Sequence, residues 1–257
     1  MNIPIVLTIA GSDPSGGAGI QADLRSFARL KVYGLSVITA VTAQSTTGVQ
    51  GVFDIPAEFV SRQLEVILAD MSPLAVKTGM LGNAAIVDAI STVLKNMGDA
   101  RLVVDPVLVS TSGAPLLKGH GVDHFRNSII PLATVLTPNL DEAETLTGGV
   151  VRDVSGMERA ARQLAAMGAR SVLVKGGHLA GDPIDVFFDG NEITHLKGVR
   201  ITGPGTHGTG CVLSAAITAY LAYGRGTYEA VCLAKEFVTE AIRNQSPIGR
   251  GANVLLR

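Results

Sequence analysis

Pro4-Ile5-Val6-Leu7-Thr8-Ile9-Ala10 runs into Gly11-Ser12-Asp13-Pro14-Ser15-Gly16-Gly17-Ala18-Gly19, and a helical pattern follows from Ile20 to Leu30. The opening run is β-branched and almost wholly apolar, which suits a parallel strand buried on both faces. Strand, glycine loop and helix, in that order, is the layout of a ligand crevice at the carboxyl end of a sheet. The rest of the chain continues the alternation. Strands are expected near residues 36–43, 74–80, 101–107, 133–137 and 171–175, with helices near 56–69, 83–97, 123–130 and 156–167 and a further one opening at Pro138-Asn139-Leu140-Asp141-Glu142. Val186-Phe187-Phe188, a turn at Asp189-Gly190-Asn191, and the run from Glu192 to Arg200 read as an antiparallel hairpin. Two long helices, 209–223 and 228–244, precede a tail with no helical pattern. No linker or repeat interrupts the series. The reading is one α/β/α layered domain over residues 1–257, with a mostly parallel sheet and a short antiparallel edge.

Composition narrows the function. Of 257 residues, 47% are apolar and 17% charged, enough for a sizeable core and against disorder. The net charge of −1 argues against nucleic acid as a partner. No apolar run has the length of a membrane span and no leader pattern precedes the first strand, so a cytoplasmic protein is expected. Cys211 and Cys232 stand apart from any CxxC or His pair, which argues against a disulfide scaffold or zinc site.

A second glycine stretch, Gly205-Thr206-His207-Gly208-Thr209-Gly210-Cys211, opens a helix. Free amides at a helix start, with the helix dipole, cradle an anion. A thiol in such a first turn is expected to be acidified and partly thiolate. The plainer alternative is a tight turn with Cys211 as a small core residue. An anion cradle beside a proton acceptor suits phosphoryl transfer to a hydroxyl.

Other candidates are single residues at strand ends. Gln44 closes the second strand, where an amide can read a hydrogen-bonding ring edge or simply tie down a loop. Asp23 lies one turn into the first helix, facing the loop or only complementing the dipole. Asp105, before Pro106, is a magnesium-shell candidate or a turn residue. Asn139 and Glu142 have capping-box spacing, which leaves Glu142 able to face a metal. Lys175-Gly176-Gly177-His178 places a cation at a strand end. Gly17-x-Gly19-x-x-Ala22 matches a loose dinucleotide fingerprint, but the second strand ends in Gln44-Ser45-Thr46-Thr47 without the acid that a dinucleotide site requires.

Taken together, the long N-terminal glycine motif, Gln44, Lys77-Thr78-Gly79-Met80-Leu81, Asp105-Pro106-Val107, Thr137-Pro138-Asn139 with Glu142, Lys175-Gly176-Gly177-His178 and the Thr206–Cys211 motif resemble hydroxymethylpyrimidine/phosphomethylpyrimidine kinases. The resemblance spans residues 3–245. It implies a ribokinase-like fold, ATP and Mg²⁺ as cofactors, and phosphorylation of a pyrimidine hydroxymethyl group and then of the monophosphate, in thiamine biosynthesis. It implies Gln44 at the aminopyrimidine edge, with Gly11, Ala18, Asp23, Met80 and Val107 around the ring. Asp105 and Glu142 would stand near magnesium, and Lys175, Thr206, Thr209 and Lys235 near the nucleotide. Gly208, Gly210 and Cys211 would form the catalytic anion hole, with Cys211 as base, and relatives of this kind are often homodimers. Two departures from the pattern stand out: Gly203-Pro204-Gly205 before the motif, and no lysine in Leu108-Val109-Ser110-Thr111-Ser112-Gly113. The rivals are a pyridoxal kinase of the same fold, a catalytically idle pyrimidine-binding sensor, and an NAD-dependent oxidoreductase.

Overall fold

The computed structural model describes residues 3–110, 113, 115–177, 179, 181–201 and 206–255. His178 and Gly203-Pro204-Gly205, singled out above, lie outside the described residues, as do Thr111 and Ser112. In chain order the strands are β1 (Ile5–Ser12), β2 (Tyr33–Ser45), β3 (Gly48–Asp54), β4 (Ala75–Thr78), β5 (Arg101–Val104), β6 (Val135–Leu136), β7 (Val172–Val174), β8 (Ile184–Phe188), β9 (Ile193–Lys197), β10 (Thr206–His207) and β11 (Asn253–Val254). The helices are α1 (Gly19–Arg29), α2 (Ala57–Asp70), α3 (Ala84–Leu94), α4 (Gly121–Ser128), α5 (Leu140–Thr147), α6 (Val154–Ala166), α7 (Thr209–Ala222) and α8 (Thr227–Arg243).

Nine strands form one sheet in the order β3-β2-β1-β4-β5-β6-β7-β8-β9. The six from β2 to β7 are parallel. The β8–β9 hairpin forms the expected antiparallel edge. A second antiparallel edge, β3 on β2, was not expected, because Gly48 and Gly51 interrupt its pattern. The order reverses at β1, whose two parallel neighbours are β2 and β4, so the crevice of an open α/β sheet opens at the carboxyl ends of β1 and β4.

Alternation along each strand separates two cores. Leu7, Ile9, Val76 and Val104 face a layer built from α2 to α6. Val6, Ala75, Val103, Val135 and Leu173 face α1, α7 and α8. Helix α7 is apolar on nearly every side because it lies between the sheet and α8. Apart from Thr8 in β1, the site's polar residues on the α7 face stand near the strand ends. Lys77, Asp105, Thr137 and Lys175 continue the rows begun by Ala75, Val103, Val135 and Leu173. One side of the sheet thus changes from core to site within a single residue step.

The tail closes the same rim. β11 pairs in parallel with β10, and Ser246 and Val254 exchange two backbone hydrogen bonds of 3.1 Å. Gly251 and Gly249 lie so close to Thr46 that a Cβ at either would collide with it. The tail therefore straps the β2–β3 turn to the second glycine motif.

Candidate active site

The two glycine stretches interlock. Gly208 has φ +85°, and a Cβ there would run into the carbonyl oxygen of Gly17. Gly19, at φ +59°, packs in the same way on the Gly11 carbonyl. These are positions where only glycine fits both the backbone and the space. Asp13 holds the first loop in shape. Its carboxylate accepts from the Ser15 amide (2.9 Å), the Ser15 hydroxyl (2.8 Å) and the Ala18 amide (2.8 Å). Burial alone would raise its pKa, but hydrogen bonds from His207, Ser15 and Ala18 outweigh burial and hold it at about 2.

Helix α7 starts at Gly208 with no side-chain cap and no acidic residue in its first turn. Its leading amides face a cleft of about 900 Å³ that also takes in the ends of β1, β2, β4, β5 and β7. Gly11, Ala18, Gln44, Met80 and Val107 line one part of it, and Asp105, Glu142, Lys175, Thr209, Gly210 and Lys235 line another. Gly208 and Cys211 line it as well. The size is that of a small-molecule or cofactor site. Of the residues the sequence pointed to, Thr206 is placed only by its backbone in β10, and Asp23 lies elsewhere. It is fully buried beneath the cleft, bonded to Lys77 Nζ at 2.7 and 2.8 Å and to the Thr8 hydroxyl at 2.6 Å. Parallel pairing sets Thr8 beside Lys77, and one helical turn of α1 brings Asp23 over both. Asp23 is thus a buried counter-ion and does not touch a ligand in the cleft.

Lys77 is also fully buried. Burial alone would strip its proton, but Asp23, through its charge and its hydrogen bond, together with Cys211 and Asp105 outweighs that and raises its pKa. Asp105, at the end of β5, accepts from Lys175 Nζ (3.1 Å), Thr137 (3.3 Å) and Ser214 of α7 (3.1 Å). Burial would raise its carboxyl, but Lys175 and Lys77 hold it below the usual range. Glu142 bonds the Asn139 amide at 2.7 Å, and Asn139 accepts in return from the Glu142 amide at 2.8 Å, the expected capping box. Burial lifts Glu142 to about 7, against the pull of Lys175, whose Nζ lies 4.0 Å away. Lys175 stands between the two carboxylates, and Lys235 pairs with Asp185, which also accepts from the Gly176 amide. Arg200, missed by sequence, clamps the carbonyls of Gly177, Leu179 and Gly181 at 2.6–3.1 Å.

Cys211 corrects a second expectation. Burial pushes its thiol up to about 11; Asp23 and Asp105 add to the rise, while Lys77 and the Gly19 amide oppose it. The helix start does not leave the thiol acidified, because desolvation and the charges of Asp23 and Asp105 outweigh the groups that favour the thiolate.

The expected magnesium shell was Asp105 and Glu142. Among the described residues, no group of three or more His, Cys, Asp or Glu side chains could hold a metal unaided. Two buried carboxylates beside an anion cradle fit Mg²⁺ nonetheless, because this hard ion binds through one or two carboxylates plus phosphate oxygens and water.

Residues 13–255 match the family described as Phosphomethylpyrimidine kinase. The chain belongs to the phosphomethylpyrimidine kinase family. It is 48% identical over 248 residues to the hydroxymethylpyrimidine/phosphomethylpyrimidine kinase of Streptomyces coelicolor, covering 96% of this chain and 92% of that one. It is 47% identical over 247 residues to the thiamine biosynthesis bifunctional protein ThiED of Geobacter sulfurreducens, covering 96% of this chain and about half of that longer protein (50%). The structure of Staphylococcus aureus pyridoxal kinase in complex with ADP superposes with a TM-score of 0.92 at 37% identity, covering 99% of this chain and 93% of that one. The expected ribokinase-like architecture is the one observed. No helix among the described residues is long and apolar enough to cross a membrane.

Proposed function

We propose that this phosphomethylpyrimidine kinase transfers the γ-phosphoryl group of ATP to the hydroxymethyl oxygen of 4-amino-5-hydroxymethyl-2-methylpyrimidine, and then a second phosphoryl group to the monophosphate. The observation that carries the reading is one cleft that joins an amide-bearing apolar end, at Gln44, Met80 and Val107, to an uncapped helix start flanked by Lys175. Cys211 lies in the first turn between them.

The step forms one bond and breaks one. The substrate oxygen attacks the γ-phosphorus, the bond to the β–γ bridging oxygen breaks, ADP leaves and the hydroxyl proton departs. The amides at Gly208, Gly210 and Cys211 stabilise charge on the phosphoryl oxygens as it spreads. A Cβ at Gly210 would come into ordinary contact with Lys175 Nζ (3.4 Å) and Asp105 (3.5 Å), which sets this part of the helix start beside both groups. Lys175, Thr206, Thr209 and Lys235 position the nucleotide. Cys211 takes the proton in its thiolate form, which burial keeps scarce at neutral pH. Magnesium, when bound, would be held by Asp105 and Glu142 and would neutralise phosphate charge. A homodimer is part of the proposal, with solution scattering as its check.

A coupled ADP-release assay with ATP and magnesium tests the reading, comparing hydroxymethylpyrimidine, its monophosphate and pyridoxal. Turnover of both pyrimidines is expected. Turnover of pyridoxal alone would favour the second reading, a pyridoxal kinase, which the likeness to the Staphylococcus aureus structure supports.

A further inference from the structure

His207 touches two partners with one nitrogen. Its Nε2 lies 2.9 Å from one end of the Gln44 amide and 3.2 Å from Asp13 Oδ2. The other end of that amide lies 3.2 Å from the Thr42 hydroxyl, which is 3.0 Å from the Ser12 carbonyl oxygen. These four contacts allow a proton count. The Ser12 carbonyl and the Asp13 carboxylate can only accept. Asp13 already takes hydrogen bonds from the Ser15 hydroxyl and two amides, as an ionised carboxylate does.

Suppose the NH₂ end of Gln44 faces His207. Then Nε2 must accept from Gln44 and donate to Asp13 at once, which one ring nitrogen cannot do. The Thr42 hydroxyl would also have to give its single hydrogen to both Ser12 and Gln44. Turned the other way, all four contacts pair. His207 Nε2–H is shared by Asp13 and the Gln44 oxygen, the Gln44 NH₂ donates to Thr42, and Thr42 donates to Ser12. An amide's two ends are told apart only by such a count.

We propose that His207 is a positioning residue whose Nε2–H, held by Asp13, turns the Gln44 amide oxygen toward itself and the NH₂ toward Thr42. One N–H and one oxygen lone pair of Gln44 then remain for the cleft in a fixed sense. The acceptor is on the His207 side and the donor on the Thr42 side. Resting on the pyrimidine reading above, this sets the ring's amino group toward His207 and a ring nitrogen toward Thr42. The second glycine motif would therefore serve ring recognition as well as phosphate binding.

The first test needs no substrate. Long-range ¹⁵N–¹H spectra of the histidine rings, with His207 assigned by its loss in His207→Gln, should show a hydrogen on Nε2. A bare Nε2 overturns the proposal. The second test is calorimetry with hydroxymethylpyrimidine and, separately, with ATP. His207→Leu should weaken pyrimidine binding by about tenfold or more. His207→Gln, which restores a donor, should recover most of it, and both variants should bind ATP as the parent does. Equal losses in the two variants, or parallel loss of ATP binding, would show that the ring is only packing. If the parent binds ATP but no pyrimidine, the functional reading fails, while the ring spectra still decide the role of His207.

Discussion

Lys77 Nζ lies 2.7 and 2.8 Å from the two carboxylate oxygens of Asp23, and neither side chain has any exposure to solvent. Removing one partner leaves an uncompensated charge in a dry site, which typically costs about 3–5 kcal/mol. Lys77→Met and Asp23→Leu should each cost about that much in urea unfolding. The double variant should cost clearly less than the sum of the two. A double variant as damaging as that sum would show that the two side chains act independently.

The elevated Cys211 thiol makes a kinetic prediction. A base that ionises at about 11 is a thiolate in a fraction that grows about tenfold per pH unit below that value. With saturating substrates, kcat should therefore climb from pH 7 to pH 10 in the parent. In Cys211→Ala it should be flat over that range and lower at pH 8 by about 10²–10³. Pyrimidine affinity should stay nearly unchanged. A loss under tenfold, or the same slope in both proteins, would reduce Cys211 to a spacer.

Asp13 ties stability to acid. Its folded pKa is about 2 against an ordinary 3.8, so its ionised form stabilises the fold above pH 4. That contribution fades as pH falls from about 5 to about 2, and amounts to about 2 kcal/mol. Unfolding free energies of the parent and Asp13→Asn, measured at pH 6 and pH 2.5, should differ much less at the lower value. A constant difference would place the stabilisation in neutral hydrogen bonds.

Gly208→Ala is expected to be strongly damaging. It forces a side chain into a left-handed backbone and against the Gly17 carbonyl, and strain of that backbone kind alone costs about 1–3 kcal/mol. The melting temperature should fall and ATP affinity should drop together, since both loops must move. ATP binding equal to the parent's would mean that the helix start can shift without cost.

Much of the site was legible because strand ends and helix starts announce themselves. Gln44, Asp105, Lys175 and the Gly208–Cys211 turn each interrupt a pattern at a place where a crevice had to be. Pairs formed across the sheet were harder to read. Lys77 is a visible anomaly, the one charge in a four-residue buried strand, but its partner stands 54 positions earlier on a helix. Sequence alone therefore points Asp23 at the ligand. The edge strand β3 was lost because two glycines break its alternation, and the pairing with β2 is supplied by backbone bonds that composition does not show. The same holds for β11, a two-residue strand with no sequence signature at all.

The strap formed by that short strand links the tail to the cleft thermodynamically. Ser246 and Val254 exchange amide bonds while β11 holds the strand that carries His207, so opening the tail and loosening His207 are one event. A ligand that favours the ordered cleft must then suppress that opening by the same free energy. Hydrogen exchange at the Ser246 and Val254 amides would thus report on pyrimidine occupancy from outside the cleft.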